Sequence, residues 1–215
     1  MTDEAEVSAD IAAEVEFMSA ERLIFFSDAV VAIAITLLAL GLSLPHVSAN
    51  GSSRQVFEAM WHDHAEYFAF LISFVVIANH WRSHHRLFRH VARLDRRIVT
   101  INLVWLLMVV LMPFATRLLS ANGGFGARFT VYAVIQIATL LAFALMSRHI
   151  KANRLLRPGS PPAFSRADDA ALLAVAGMFA LSIPVSFVTE WAFAFWVASS
   201  FAARTARRRM SPGPL

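Results

Sequence analysis

Five apolar blocks dominate the chain: Leu23 to Leu44, Ala65 to Trp81, Ile98 to Leu119, Ala127 to Ser147, and Ala170 to Ala203. A helix needs about 20 mostly apolar residues to cross a bilayer, and each block is long enough or nearly so. The last is too long for one span. Thr189 and Glu190 interrupt it, and a charge is costly at mid-bilayer, so two helices joined by a tight turn are expected there. Six spans result. Composition agrees: 58% of the 215 residues are apolar and 16% are charged, against roughly a quarter charged in a soluble domain. The fold class is therefore an all-α membrane protein with six transmembrane helices. Pro113 and Pro184 fall inside expected helices, where neighbouring groups can satisfy the freed carbonyl.

Orientation is read from Lys and Arg near the span ends. Six arginines lie between Arg82 and Arg97. Arg148, Lys151, Arg154, Arg157 and Arg166 follow the fourth span, and Arg204, Arg207, Arg208 and Arg209 follow the sixth. With Arg22, sixteen of the nineteen basic residues fall on one side, leaving Arg54, Arg117 and Arg128 on the other. A five-span layout would place the tail arginines outside, so the asymmetry favours six. Both termini are expected in the cytoplasm and the chain in the cell membrane. Residues 1–21 form an acidic lead-in, 22–203 the membrane domain, and 204–215 a basic cytoplasmic tail. The lead-in lacks the basic start and short apolar core of a secretory leader.

Several chemistries are excluded or disfavoured. There is no cysteine, so disulfides, thiolate metal sites and cysteine nucleophiles are ruled out. No paired catalytic carboxylates, no G-x-S-x-G and no phosphate loop are present, so no enzyme is expected. The basic patches suit anionic lipid. No nucleic-acid motif accompanies them, so no nucleic-acid partner is expected.

The first span carries the polar chemistry. Asp28 within an apolar run is costly unless paired or facing water. Ser27 beside it can bond the carboxylate or a neighbouring helix. Behind them Ile33, Thr36 or Leu37, and Leu40 recur every three or four residues and share one helical face, which Leu44 extends. Small Ala29 and Ala32 lie one turn toward the cytoplasm.

Arg22-x-x-x-Phe26-Ser27-Asp28, followed by Ala32-Ile33-Ala34-Ile35-Thr36-Leu37-Leu38, resembles the opening signature of the transmembrane protein 175 family of potassium channels. Seven positions with four specified, plus the agreeing apolar run, make the resemblance specific. One copy of the motif implies the single-repeat prokaryotic form. The resemblance implies a homotetramer with four copies of the first span around a central pore. It implies that Ile33, Thr36, Leu37 and Leu40 line that pore, with an apolar constriction, and that Arg22, Phe26, Ser27 and Asp28 form a polar network. It also implies potassium as the transported ion, with no cofactor. An apolar ring can gate by dewetting, and the TVGYG filter of ordinary potassium channels is absent, so a modest preference for potassium is expected. Gly123-Gly124-Phe125-Gly126 reads as a turn.

Read without that resemblance, an Ile/Leu stripe on a membrane helix more often faces lipid or a neighbour. The alternative function is a small-solute or proton-coupled transporter, although Asp28 is nearly the only charge carrier inside a span. His80, His84 and His85 offer a rival metal site. His80 and His84 have i, i+4 spacing, but Trp81 stands where HExxH would need Glu. Histidine in an arginine-rich border is more often an interfacial or packing residue. His80, Asn79 and Trp81 are candidate partners of the first-span motif.

Overall fold

The computed structural model describes residues 2–44, 51–157, 159 and 166–196, with side chains from Ala20 onward apart from those of 166–167. Among the described residues the named α-helices are, in chain order, α1 (Thr2–Leu40), α2 (Ser53–His62), α3 (His64–Phe88), α4 (Arg96–Ser120), α5 (Phe125–Ala152) and α6 (Arg166–Ser186). A 3-10 turn at Glu190–Ala192 follows, and helix resumes over 193–196. The 204–215 tail and the body of the sixth span lie outside the described residues.

Among the described residues, four segments are long and apolar enough to cross a membrane: Ala20–Leu40, Arg96–Ser120, Phe125–Ala152 and Asp168–Ser186. The second expected span lies within α3, whose 25 residues could cross but whose histidine-rich half makes it less apolar than these four. The acidic lead-in is helical and runs without a break into the first span.

α4 and α5 form the centre. α5 packs on both α4 and α6, while α4 also packs on α1 and α3, which touch each other. The core between them includes Trp105, Val109, Met112, Phe129, Tyr132 and Phe143. The outer helices are less enclosed: 22% of the most apolar stretch of α1 is buried, and 22% of that of α6, against 56% for α5.

Up-and-down connectivity gathers the arginine-rich loops at one end. There Asp95 caps α4 by accepting from Ile98 N–H at 2.7 Å and pairs with His149 Nε2 of α5 at 2.5 Å. Residues 90–92 and 155–157 form a short antiparallel bridge, and Lys151 pairs with Asp169 at 2.8 Å to join α5 to α6. At the opposite end, Arg128 donates to the carbonyls of Leu119 and Gly123. The 123–126 stretch is a turn leading into α5, with Gly123 at φ +112°, a backbone that L side chains avoid.

Two expected boundaries shift. α1 ends at Leu40, so Leu44 does not extend its face. A Cβ on Gly41 would lie 2.9 Å from Arg117 Cγ of α4, and the chain turns there. α3 continues through Phe88, making Arg82 to Phe88 helix rather than loop. Its last turns stay ordered because His84 stacks between Phe88 and Trp105, with ring centroids 4.3 and 4.4 Å apart. The interruption expected at Thr189-Glu190 is present. Beyond it Trp196 stacks on Phe129 and Tyr132 and donates to Ser182 Oγ at 3.3 Å.

Candidate functional site

The first span divides lengthwise. Ser27, Val31, Ala34 and Leu38, spaced four, three and four apart, form its buried face against α3 and α4. In a membrane no water drives such helices together, so close packing and interhelical hydrogen bonds must hold them. Small Ser27 and Ala34 permit the approach, and Asn102 of α4 supplies the bond. Asn102 Nδ2 donates to Ser27 Oγ at 3.0 Å, while Ser27 donates to its own Leu23 carbonyl at 2.7 Å. Asn102 Oδ1 accepts from His84 Nε2 at 2.7 Å. All three side chains are buried, so α1, α3 and α4 meet at one satisfied polar chain.

Asp28 points to α3. Its Oδ1 accepts from the Trp81 indole N–H at 2.9 Å, and its Oδ2 lies 3.8 Å from His85 Nδ1, too far for a hydrogen bond. The carboxylate thus has a hydrogen-bond partner on the flank of the helix, which offsets part of the cost of a charge within an apolar run. Arg22 and Phe26 stand exposed on the single chain. The four motif residues therefore do not form one cluster: Ser27 and Asp28 anchor α1 to its own bundle, and Arg22 and Phe26 face outward.

The remaining face of α1 carries Ala29, Ala32, Ile33, Thr36, Leu37 and Leu40, all exposed. Ile33 is 59% exposed and Leu40 80%. Thr36 Oγ1 donates to the Ile33 carbonyl at 2.8 Å, which spends its proton within the helix and leaves the oxygen lone pairs outward.

The histidines separate. His80 meets Gln136 Nε2 of α5 at 2.8 Å rather than the first-span motif; of the residues flanking it, Trp81 is the one that reaches the motif. With His84 on Asn102 and His85 beside Asp28, the three rings have different neighbours. Among the described residues no group of three His, Cys, Asp or Glu side chains could hold a metal ion.

Sequence reasoning missed Asn102, although an amide within an apolar run was a usable signal. It also missed a second buried chain, in which Thr116 donates to Ser73 at 2.8 Å and Ser73 meets the Tyr132 hydroxyl at 3.1 Å, joining α3, α4 and α5. Isolated hydroxyls on three spans give no hint of their pairing until the helices are assembled.

Comparison with known proteins converges on one family. The family described as endosomal/lysosomal potassium channel TMEM175 matches residues 22–113, from the motif through α3 and into α4. A potassium channel of Streptomyces collinus is 35% identical over 60% of this chain, and the match spans 63% of that relative. A potassium channel of Chamaesiphon minutus is 32% identical over 79% of this chain and 85% of the relative. The crystal structure of a lysosomal potassium-selective channel TMEM175 homolog from Chamaesiphon minutus superposes with a TM-score of 0.71, at 26% identity, covering 88% of this chain and 98% of that one. These relatives are ion channels, not enzymes. The chain belongs to the TMEM175 family.

Proposed function

We propose that the protein is a passive, potassium-preferring cation channel whose pore is lined by the exposed face of α1. The observation that carries this reading is the division of that helix: one face is locked into the bundle by Asn102, and the other is apolar and left exposed by the described residues. α6 is equally open, so exposure alone does not select α1. The family match, which starts at residue 22 and ends before α5, supports α1 over α6. Ile33, Leu37 and Leu40 form the apolar constriction, and Thr36 offers an oxygen ring between them. One such helix per chain cannot enclose a lumen, which favours assembly of copies, four in this reading. Arg22 and Phe26 then pack against the neighbouring copy.

The topology that goes with it has six spans over 22–203, with α3 as the second and the helix resuming at Phe193 as the sixth. The acidic lead-in and the basic tail lie on the cytoplasmic side of the cell membrane, where sixteen of the nineteen basic residues gather.

Cation flux into liposomes holding the purified protein tests the reading. Fast passive flux favouring potassium over sodium and excluding large organic cations is expected. Ile33→Asn or Leu40→Asn should change conductance or weaken the potassium preference. Unaltered currents in both variants would remove these residues from the pore, and no flux from folded oligomers under any tested stimulus would overturn the channel.

A further inference from the structure

α2 is a second element left largely uncovered among the described residues. Val56, Phe57, Ala59, Met60 and Trp61 share one side of it, and Arg54, Gln55, Glu58 and His62 the other, by the 100° step of a helix. None of its residues is buried, and Phe57 and Trp61 are more than two-thirds exposed. It contributes nothing to the chain's core, and a ten-residue helix is marginal in water by itself. Its start is well formed: the Ser52 hydroxyl accepts from Gln55 N–H while the Gln55 side chain accepts from Ser52 N–H. A capping box is worth only about 1–2 kcal/mol, so the apolar side still needs an apolar environment.

The position of α2 identifies that environment. Asp63 alone separates it from α3. Trp61 stacks on His64 with centroids 5.6 Å apart, and the Trp61 carbonyl meets His64 Nδ1 at 2.7 Å. Glu66 of α3 accepts from Ser43 N–H, which ties the exit of α1 to the same level. α2 is thus held where two membrane helices leave the hydrocarbon. Phe187 and Trp191, at the same end of the bundle beyond α6, are also strongly exposed. Aromatic residues gather at this depth because a ring can sit in apolar material with its polar edge wet. The polar side carries the Arg54–Glu58 pair at 2.8 Å, a near-neutral surface suited to zwitterionic headgroups.

We propose that α2 is an interfacial helix, lying in the headgroup region of the leaflet at the end of the bundle opposite the arginine-rich loops, with Phe57 and Trp61 in the acyl boundary. The lipid surface is its partner. This rests on α3 crossing the membrane and is independent of ion conduction.

The native chain has no cysteine, so Phe57→Cys and His62→Cys each place a single spin label on opposite sides of α2 in the full-length protein in phosphatidylcholine bilayers. The label at 57 should collide preferentially with oxygen and report a depth of about 5–10 Å below the headgroups. The label at 62 should collide preferentially with a water-soluble nickel chelate. As a second reading, brominated lipid should quench the part of the tryptophan emission that Trp61→Phe removes. Nickel access at both positions would overturn the proposal by placing α2 in water. Shielding of position 57 from both reagents, with no lipid quenching of Trp61, would overturn it in favour of cover by another copy of the chain.

Discussion

Along one side of α1, Ser27, Val31, Ala34 and Leu38 are enclosed by α3 and α4, whereas along the other Ala29, Ala32, Ile33, Thr36, Leu37 and Leu40 are exposed among the described residues. Hydropathy cannot separate the two sides, because both are apolar. Both sides also carry two small residues, so the enclosed side differs by one hydroxyl, that of Ser27, facing a buried amide. In water, burial would mark the inner face; in lipid, the mark is a satisfied polar contact. That is why a single serine reveals more about the packing of this helix than its run of Ile and Leu.

The comparison can be broken most forcefully at Asn102. Asn102→Leu strands the His84 N–H in a buried site, at about 1–3 kcal/mol, and adds misfit of a branched chain in filled space, at about 1–3 kcal/mol. Loss of folded or assembled protein on gel filtration, and a large drop in thermal midpoint, are expected. A stable variant with wild-type behaviour would deny Asn102 its role at the three-helix junction. Leu38→Ala, on the same face, leaves a cavity but little transfer penalty, since lipid is as apolar as the interior. A loss of about 1–2 kcal/mol in a denaturation series is the expected outcome.

Leu37→Ala, on the opposite face, sharpens the contrast. It should alter stability by less than about 0.5 kcal/mol yet change ion flux in the liposome assay. A stability loss as large as that of Leu38→Ala would show that the two faces are equally packed.

The smallest effect is expected at the arginine-rich end. Partial burial opposes ionisation of Asp95, but the Ile98 N–H, His149 and the Arg97 N–H together outweigh it and hold the carboxyl below its usual range. A depressed folded value means stability that is present above the ordinary carboxylate range and is lost as pH falls through the folded value. Asp95→Asn should therefore flatten the stability profile below about pH 4 and leave neutral-pH flux unchanged. An acid limb of the same slope in the variant would assign the loss to other carboxylates.

Much of the architecture was legible in the chain because lipid imposes a length rule on apolar blocks. The third and fourth blocks appear as α4 and α5, and the break at Thr189-Glu190 falls between α6 and the next helix. Boundaries were less legible. α3 runs seven residues past Trp81 because stacking on Trp105 stabilises its polar end, and α1 stops short of Leu44 because Gly41 closes on Arg117. α2 was missed: a ten-residue amphipathic helix is too short to register beside the spans, although Ser52-x-x-Gln55 announced its start. Within the motif, Asp28 was identifiable as needing a partner, but its choice of Trp81 over its other neighbours depended on how far α3 is rotated against α1.

The sequence by itself determined a helical membrane protein, its family through Arg22-x-x-x-Phe26-Ser27-Asp28, and the gathering of basic residues toward one end. These follow from composition, order and local spacing, which the chain carries without folding. Only the tertiary structure decided that Ser27 meets Asn102 and His84, that His80 turns to Gln136, and which side of α1 is left open. Those outcomes depend on the rotation and depth of each helix against the others, and many rotations of apolar helices bury similar area. The rotation is settled by the few polar groups that must find partners within the bilayer.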